Sequence, residues 1–485
     1  MPRQREKPVI AVIGGGFTGA AFALHFRQRH GQDARIVVFE PRTALGAGLA
    51  YATQDPAHRV NVPAGRMTLY PQDKESFLRF VLTHAEDDPG LWAANGEPYP
   101  RRSLFGAYVR AQLQPLLTAG LLEHRQSRVM DVARDGESWV LRDSQGFILH
   151  ADSVVIAATH PAPGLPAILH EWRGHARLVA DATVPDALAA ITPDDTVLIV
   201  GNGLTAADVV ASLKGRGHRG HITSLSRRGL RSRGHPSAVP EPFGDFSSEP
   251  SRLASHLLRS IRRHLAQAGN EGIGWHAVLD AVRIQGFAIW QGLEPAARRR
   301  IVRHARPFWD AHRFRIAPQV EEVLDKAIAK GTLSIRAARL TGGREVGDGF
   351  HVGLAERGGR QDFLHVNRIV VTTGPEHGRV LRSQAFMAAL ADGAWVEACP
   401  TGLGLACDLE ARAVNGKGQV SPGLFIAGPL ARGSFGELMG LPQVTDHAIF
   451  VADKVASFLK SAGRGMGAKF HGDSHEEKRK ILQKL

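Results

Sequence analysis

Two doubly wound α/β units and a mostly helical insertion are predicted from three features of this sequence. Short β-branched runs without alternation recur along the chain, glycine-rich turns follow two of them, and a central segment switches to helical spacing. Continuous apolar runs suit parallel strands buried on both faces, and helices between them give a doubly wound sheet.

The strand-like runs are Pro8–Ile13, Arg35–Phe39, Ser153–Ala158, Thr196–Val200, His221–Leu225, Asn367–Thr372 and Gly423–Ala427. From about Ser251 to Gly331, apolar residues recur at helical spacing in Leu253–Leu265, Trp275–Ile284 and Val320–Ile328. The expected boundaries are 1–165 for the first part of one domain and 166–330 for a second, carrying a helical insertion over about 245–318. Residues 331–460 complete the first domain, and 461–485, rich in Gly, Lys and Glu, form a flexible tail.

The first glycine motif, Gly14-Gly15-Gly16-Phe17-Thr18-Gly19, sits between a strand and the apolar helix Ala20–Phe26. Gly14 makes the tight turn, Gly16 admits a pyrophosphate to the backbone, and Gly19 brings helix against strand. With Phe17 and Thr18 they open a helix whose free N–H groups bind that pyrophosphate. The next strand ends at Glu40, where an acid accepts ribose hydroxyls. The second motif is Gly201-Asn202-Gly203-Leu204-Thr205-Ala206, with alanine as its permitted third small residue. Its following strand ends in Ser226-Arg227-Arg228, not an acid. An acid there repels a 2′-phosphate, whereas arginines hold it by charge-assisted hydrogen bonds. The fold class is therefore α/β with two Rossmann-type dinucleotide-binding domains, the first for FAD and the second for NADPH.

Composition narrows the alternatives. Of 485 residues, 43% are hydrophobic and 22% charged, which suits a packed globular chain rather than a disordered one. No apolar run reaches the ~18 residues of a membrane span. The charged N-terminus does not read as a secretory signal. Cys399 and Cys407 form no CxxC pair, so dithiol chemistry is not expected and a reducing cytoplasm is. The net charge of +13 comes mainly from arginine. No zinc-ligand spacing, basic-region heptad or RNP-like strand accompanies it, so nucleic acid is not an expected partner. The 23 histidines form neither HxxxH nor HExxH, and no metal is expected. No GxSxG elbow appears, which leaves the hard chemistry to a flavin.

With both motifs in place, the sequence resembles the two-dinucleotide-binding-domain flavoproteins, including class B flavin monooxygenases and amine N-hydroxylases. Of these and the bacterial YdhS-like FAD/NAD(P)-binding proteins, it resembles the latter more closely. The resemblance runs through Gly14–Gly19, Gly48–Tyr51, Asn61–Ala64, Arg102–Tyr108, Gly201–Asp208, Ser226–Leu230, Trp309–Arg315 and Gly428–Gly433. It implies a single-component monooxygenase that delivers oxygen to a small nucleophile through a flavin C4a-(hydro)peroxide, N-hydroxylation of an amine or amino acid being favoured. Molecular oxygen and a small, carboxylate-bearing substrate are then the partners. An NADPH-dependent flavin reductase or dehydrogenase without oxygen transfer stays open at this point, as does a non-enzymatic redox sensor.

The resemblance places Asn61 beside the isoalloxazine and implies that Gly428, Pro429 and the helix start at Gln443 face the pyrimidine end of the flavin. A helix N-terminus there stabilises a reduced, anionic flavin. Arg102 is a candidate for facing flavin or substrate. Arg313 and Arg315 alternate, so on a strand they share a face and are candidates for a substrate carboxylate. Three departures stand out. Ala158-Thr159-His160 replaces the usual Ala-Thr-Gly hinge. Leu178 stands where the Baeyer–Villiger fingerprint has histidine, which argues against that chemistry. Gly436 precedes Glu437 where relatives carry an aromatic.

Overall fold

The protein is described by a computed structural model over residues 7–85 and 87–463. The expected tail falls almost wholly outside those residues. Strands β1 (Val9–Ile13) and β2 (Arg35–Phe39) pair in parallel through α1 (Phe17–His30). Helices α2 (Gly48–Tyr51), α3 (Ser76–His84) and α4 (Arg102–Thr118) lead to β3 (Glu123–Arg125), which joins beside β2. An antiparallel meander follows: β4 (Val129–Asp135), β5 (Ser138–Asp143) and β6 (Ile148–Ala151). Strand β7 (Ser153–Ile156) then enters on the other side of β1.

The second unit begins with β8 (Leu178–Val179), β9 (Val197–Val200), α5 (Leu204–Gly215) and β10 (Ile222–Ser226). Five helices make the insertion: α6 (Ala254–Asn270), α7 (Trp275–Ile284), α8 (Gly286–Gly292), α9 (Pro295–His304) and α10 (Arg306–Arg313). They bury a core of their own around Phe246, Leu257, Val278, Ile289 and Trp290. Helix α11 (Pro318–Ala329) packs on α5, not within the insertion. Prolines at the starts of α9, α10 and α11 suit a first turn, where the lost N–H has no intrahelical partner. Strand β11 (Leu333–Val346) pairs in parallel with β10, then continues into the antiparallel β12 (Gly349–Glu356) and β13 (Gln361–Val366). Strand β14 (Arg368–Val371) closes in between β9 and β8.

The chain returns to the first sheet only after Val371, so the expected boundary at 330 is corrected: 333–371 complete the second unit, because β11 and β14 pair with β10 and β9. After α12 (Ala385–Asp392) come β15 (Arg412–Val414), β16 (Val420–Ile426), α13 (Arg432–Phe435) and α14 (Gln443–Ser461), the last lying along α1. The sheets read β15-β16-β7-β1-β2-β3 and β13-β12-β11-β10-β9-β14-β8. All seven expected runs lie in these two sheets, and β7 and β9 are buried at every residue. The two crossings between the sheets, after β7 and after β14, touch: Gly164 N–H donates to Gly374 at 3.3 Å and Glu376 N–H to Ala162 at 3.0 Å. Because both crossings leave the carboxyl ends of parallel strands, the ligand-binding edges of the two sheets converge there.

Candidate functional site

The two glycine loops share one construction. Gly14 has φ +102, and a Cβ there would lie 2.6 Å from the Ala157 carbonyl oxygen just past β7. Gly201 has φ +124, and its Cβ would lie 2.3 Å from the Thr372 carbonyl oxygen just past β14. In each unit only glycine lets the turn pass under the neighbouring crossing. Gly19 packs so close that a Cβ would meet the Gly14 carbonyl at 2.0 Å. Gly16 and Gly203 are the residues before α1 and α5, and the space a Cβ would take at Gly203 is open. Leu204 and Thr205 begin α5, and Ala206 is buried beneath its first turn. These features fit two pyrophosphate cradles at helix N-termini.

Glu40 directly follows β2 and is almost wholly buried. Its Oε2 accepts the Gly15 N–H at 3.1 Å, and its Oε1 accepts both the Arg42 N–H and guanidinium. The carboxylate thus fixes the glycine loop. A cleft of ≈ 640 Å³ opens beside it, between Arg42–Leu45 and the α4 residues Leu104 and Arg110. In the second unit Ser226 is the last residue of β10, and Arg227 and Arg228 are exposed. Neither arginine has a carboxylate partner among the described residues, and Arg228 lies 5.3 Å over the Phe308 ring.

The last segment crosses the first loop. A Cβ on Gly428 would meet Thr18 Oγ1 at 2.6 Å, and Gly428 N–H donates to His447 Nδ1 at 3.0 Å. Pro429 lies in the short 3-10 turn that follows. Gln443 begins α14, is buried, and leaves Oε1 without a donor among the described residues. That orphaned acceptor at a helix start suits the polar edge of a flavin. Asn61 is half-buried; its carbonyl accepts from His235 at 3.0 Å, and no described residue hydrogen-bonds its side-chain amide. The preceding Arg59 fastens the loop through a buried pair with Asp88 at 2.5 and 2.7 Å.

Three expectations need correction. Arg102 opens α4 and gives both terminal nitrogens to Asp208 of α5 at 2.7 and 3.0 Å, and Nε to the Arg59 carbonyl. It joins the two units instead of offering free donors to flavin or substrate. Arg313 and Arg315 share no strand: the first ends α10 and the second lies in the link to α11. Arg313 Nε donates to Glu437 at 3.1 Å, and Arg315 forks onto Asp280 at 2.9 and 3.2 Å. Their partners lie far away in sequence, which is why alternation misled.

A second polar cluster escaped sequence reasoning. Past β7, His160 meets the ring of His377, past β14, edge-on at 5.1 Å. Arg306 of α10 donates to His377 Nε2 at 3.2 Å and pairs with Asp310. Arg432 of α13 is 5% exposed. Burial, reinforced by Arg432 and Arg306, holds His160 down to about 4, and burial with His160 and these arginines holds His377 to about 3. Burial also lowers Arg432 to about 10 and raises the Asp310 carboxyl. The hinge departure at His160 was the only sequence signal.

These shifts set an acid sensitivity. Burial also lowers His235 to about 4 and His447 to about 3. A lowered folded-state value means that the unfolded chain binds protons the folded chain refuses. Stability is therefore complete above the unfolded value near 6.5 and falls as pH drops toward the folded values, by about 1.4 kcal/mol per pH unit per histidine. Urea midpoints taken at about pH 7.5, 6 and 5 should fall steeply across the last interval. A flat profile there would show that these histidines titrate freely.

The comparisons with known proteins agree with this geometry. Residues 11–161 match a family profile described as FAD-NAD(P)-binding. They form an FAD/NAD(P)-binding domain. A curated relative, the tRNA 5-methylaminomethyl-2-thiouridine biosynthesis bifunctional protein MnmC of Magnetococcus marinus, is 29% identical. That match covers 33% of this chain and only 31% of the relative. An ornithine N-hydroxylase from Kutzneria sp. 744, solved with FADred, NADP+ and L-orn, superposes with TM-score 0.61 at 16% identity, covering 94% of this chain and 100% of that one. A thioredoxin reductase from Lactococcus lactis does so with TM-score 0.50 at 12% identity, covering 94% and 100%. At those identities the likeness establishes the shared fold. Among the described residues no helix is long and apolar enough to cross a membrane.

Proposed function

We propose that this protein is an NADPH-using, FAD-dependent monooxygenase that oxygenates a small nucleophile, an amine or amino acid nitrogen first among them. The observation that carries this reading is the convergence of the two glycine-loop edges on the paired crossings 157–164 and 372–377, which would bring two dinucleotides head to head. Residues 9–156 with 412–461 hold the flavin, and 178–371 hold NADPH, with the helices of 245–318 covering the junction. Bound FAD supplies hydride acceptance and oxygen activation. The chain's own part is binding, orientation and exclusion of water. Glu40 takes the flavin's adenosine ribose, the first turn of α1 its pyrophosphate, and Gln443 the pyrimidine edge. Arg227 and Arg228 hold the 2′-phosphate, with Ser226 beside them. Asn61 offers an amide at the junction, and the insertion keeps water from it. The ornithine N-hydroxylase likeness favours nitrogen as the oxygen acceptor, and the location in a reducing cytoplasm belongs to this same reading.

The test is a purified yellow protein, assayed for oxygen consumption with NADPH across amines, amino acids and aromatic acids. NADPH-dependent uptake matched by an oxygenated product supports a monooxygenase. Electron transfer without oxygenated product would make it a reductase. Flavin without NADPH turnover above the slow leak to oxygen would make it a sensor, and no flavin uptake would overturn the reading altogether.

A further inference from the structure

We infer that His235 is a positioning residue for the flavin site: reaching across from the second unit, it holds the Asn61 loop and so aims the Asn61 amide. The inference rests on the proposed flavin-dependent function, which leaves His235 without a role, and deepens it by adding that residue.

The Asn61 loop is pinned on both sides but hardly in its middle. Val60 N–H donates to the Pro100 carbonyl at 3.0 Å, and Ala64 N–H to the Pro98 carbonyl at 2.9 Å. Arg59 is fixed by its pair with Asp88. Between these anchors Pro63 has no N–H to give. Among the described residues, His235 is the hydrogen-bond partner of the Asn61 carbonyl, with Nε2 at 3.0 Å. A carbonyl oxygen only accepts, so Nε2 carries the proton and donates. Burial, with Arg315 close by, holds the ring down to about 4, so it is neutral and its single proton stays in this bond.

His235 is itself firmly held. Its ring meets that of the wholly buried Tyr99 edge-on at 5.3 Å. The Gly234 carbonyl accepts from His276 of α7 at 3.3 Å. Glu321 of α11 packs so close that a Cβ on Gly234 would lie 2.1 Å from its Oε2. Arg233 N–H donates to the Ala311 carbonyl of α10 at 2.8 Å, and the Arg233 carbonyl accepts from Ile316 at 2.9 Å. Side chains on a backbone braced in this way keep a fixed position. The segment starts at Ser226, Arg227 and Arg228, so one stretch of chain runs from the proposed 2′-phosphate contacts to the Asn61 loop.

The Asn61 amide has no described hydrogen-bond partner, so its direction follows its backbone. Loss of the His235 bond frees that peptide to turn and takes the amide with it. A misplacement of about 1 Å at a reacting site costs up to ~100-fold in rate.

The experiment uses full-length, FAD-loaded protein carrying His235→Leu, His235→Gln, Asn61→Ala or Asn61→Ala with His235→Leu. Each is read by the visible absorbance of the bound flavin, by its reduction midpoint potential and by stopped-flow reduction with NADPH. His235→Leu should shift the flavin bands and potential in the same direction as Asn61→Ala, and slow reduction by about three- to ten-fold, as for one lost hydrogen bond. His235→Gln keeps a donor of similar reach and should restore most of the wild-type behaviour. In the Asn61→Ala background, His235→Leu should change the flavin no further. Additive effects there would make His235 a packing residue and overturn the inference. So would a His235→Leu protein with wild-type bands, potential and rate, or a His235→Gln protein no better than His235→Leu. An Asn61→Ala protein with an unaltered flavin overturns it too, by removing Asn61 from the flavin site. Should His235→Leu fail to fold, His235→Asn, polar but too short to reach the carbonyl, replaces it in every comparison. A wild-type flavin that NADPH does not reduce defeats the proposed function, while the bands and potentials still decide the role of His235. No FAD uptake by the wild type overturns both.

Discussion

Replacing both Arg227 and Arg228 with alanine is expected to erase most of the discrimination between NADPH and NADH. Ser226 ends β10, so the two guanidinium groups stand where a dinucleotide's 2′ position lies in a Rossmann unit. Both are exposed and have no carboxylate partner among the described residues, so no described ion pair must break before a phosphate binds. Hydrogen bonds to charged groups contribute about 1.5–3 kcal/mol, and exposure puts these at the low end. One arginine then corresponds to ~10-fold in the NADPH Michaelis constant and two to ~100-fold, with NADH almost unaffected. The pair is not symmetrical. Arg228 rests on Phe308, which restricts its side chain before the cofactor arrives, so its single substitution should be the costlier. Stopped-flow absorbance of flavin reduction with each coenzyme measures this. Equal wild-type rates with NADH and NADPH, or a double variant that keeps its preference, would make these arginines ordinary surface charges.

What the sequence revealed follows from how local each requirement is. Gly14 and Gly201 must turn within a few residues of a strand end, so their chemistry is written contiguously. The same holds for Ser226-Arg227-Arg228, which simply continues β10. The parallel strands were visible because burial on both faces leaves unbroken apolar runs. The antiparallel ribbon β11–β13 was not, because its half-exposed residues interleave polar and apolar side chains over short spans. Long-range pairing was equally hidden. Nothing near Arg313 signals Glu437, and nothing near His160 signals His377 or Arg432. Gly436 illustrates the gap. Its φ is +86, and a Cβ would lie 3.0 Å from the Trp290 side chain, so α8 of the insertion occupies the place an aromatic would need. The unusual residue before Glu437 thus reflects how the insertion docks on α13, a relation between segments far apart in the chain.

Removing Asp208 should cost about 3 kcal/mol of stability and loosen the contact between the two units. Asp208 and Ser212 on α5 and Arg216 at its C-terminal cap fall four residues apart, so they form one stripe along the helix. Each meets the first unit: Asp208 forks onto Arg102, Ser212 hydrogen-bonds His58 Nε2 at 3.0 Å, and Arg216 pairs with Asp55 at 3.0 Å. The Arg102–Asp208 pair is the most enclosed of these, with side chains 16% and 11% exposed. Asp208→Ala leaves the Arg102 guanidinium enclosed and uncompensated, which is costlier than losing the attraction alone. The double variant Arg102→Met/Asp208→Leu replaces the pair with apolar groups and should recover much of the loss. Calorimetry should show the single variant's transition broadening or splitting as the units uncouple, while FAD stays bound to the first. NADPH-driven flavin reduction should slow in the same variant, because the proposed function has NADPH bind the unit that α5 belongs to. If Asp208→Ala loses less than ~0.5 kcal/mol, or the double variant is no more stable than the single, the stripe is a surface contact and the units are held together by the crossings alone.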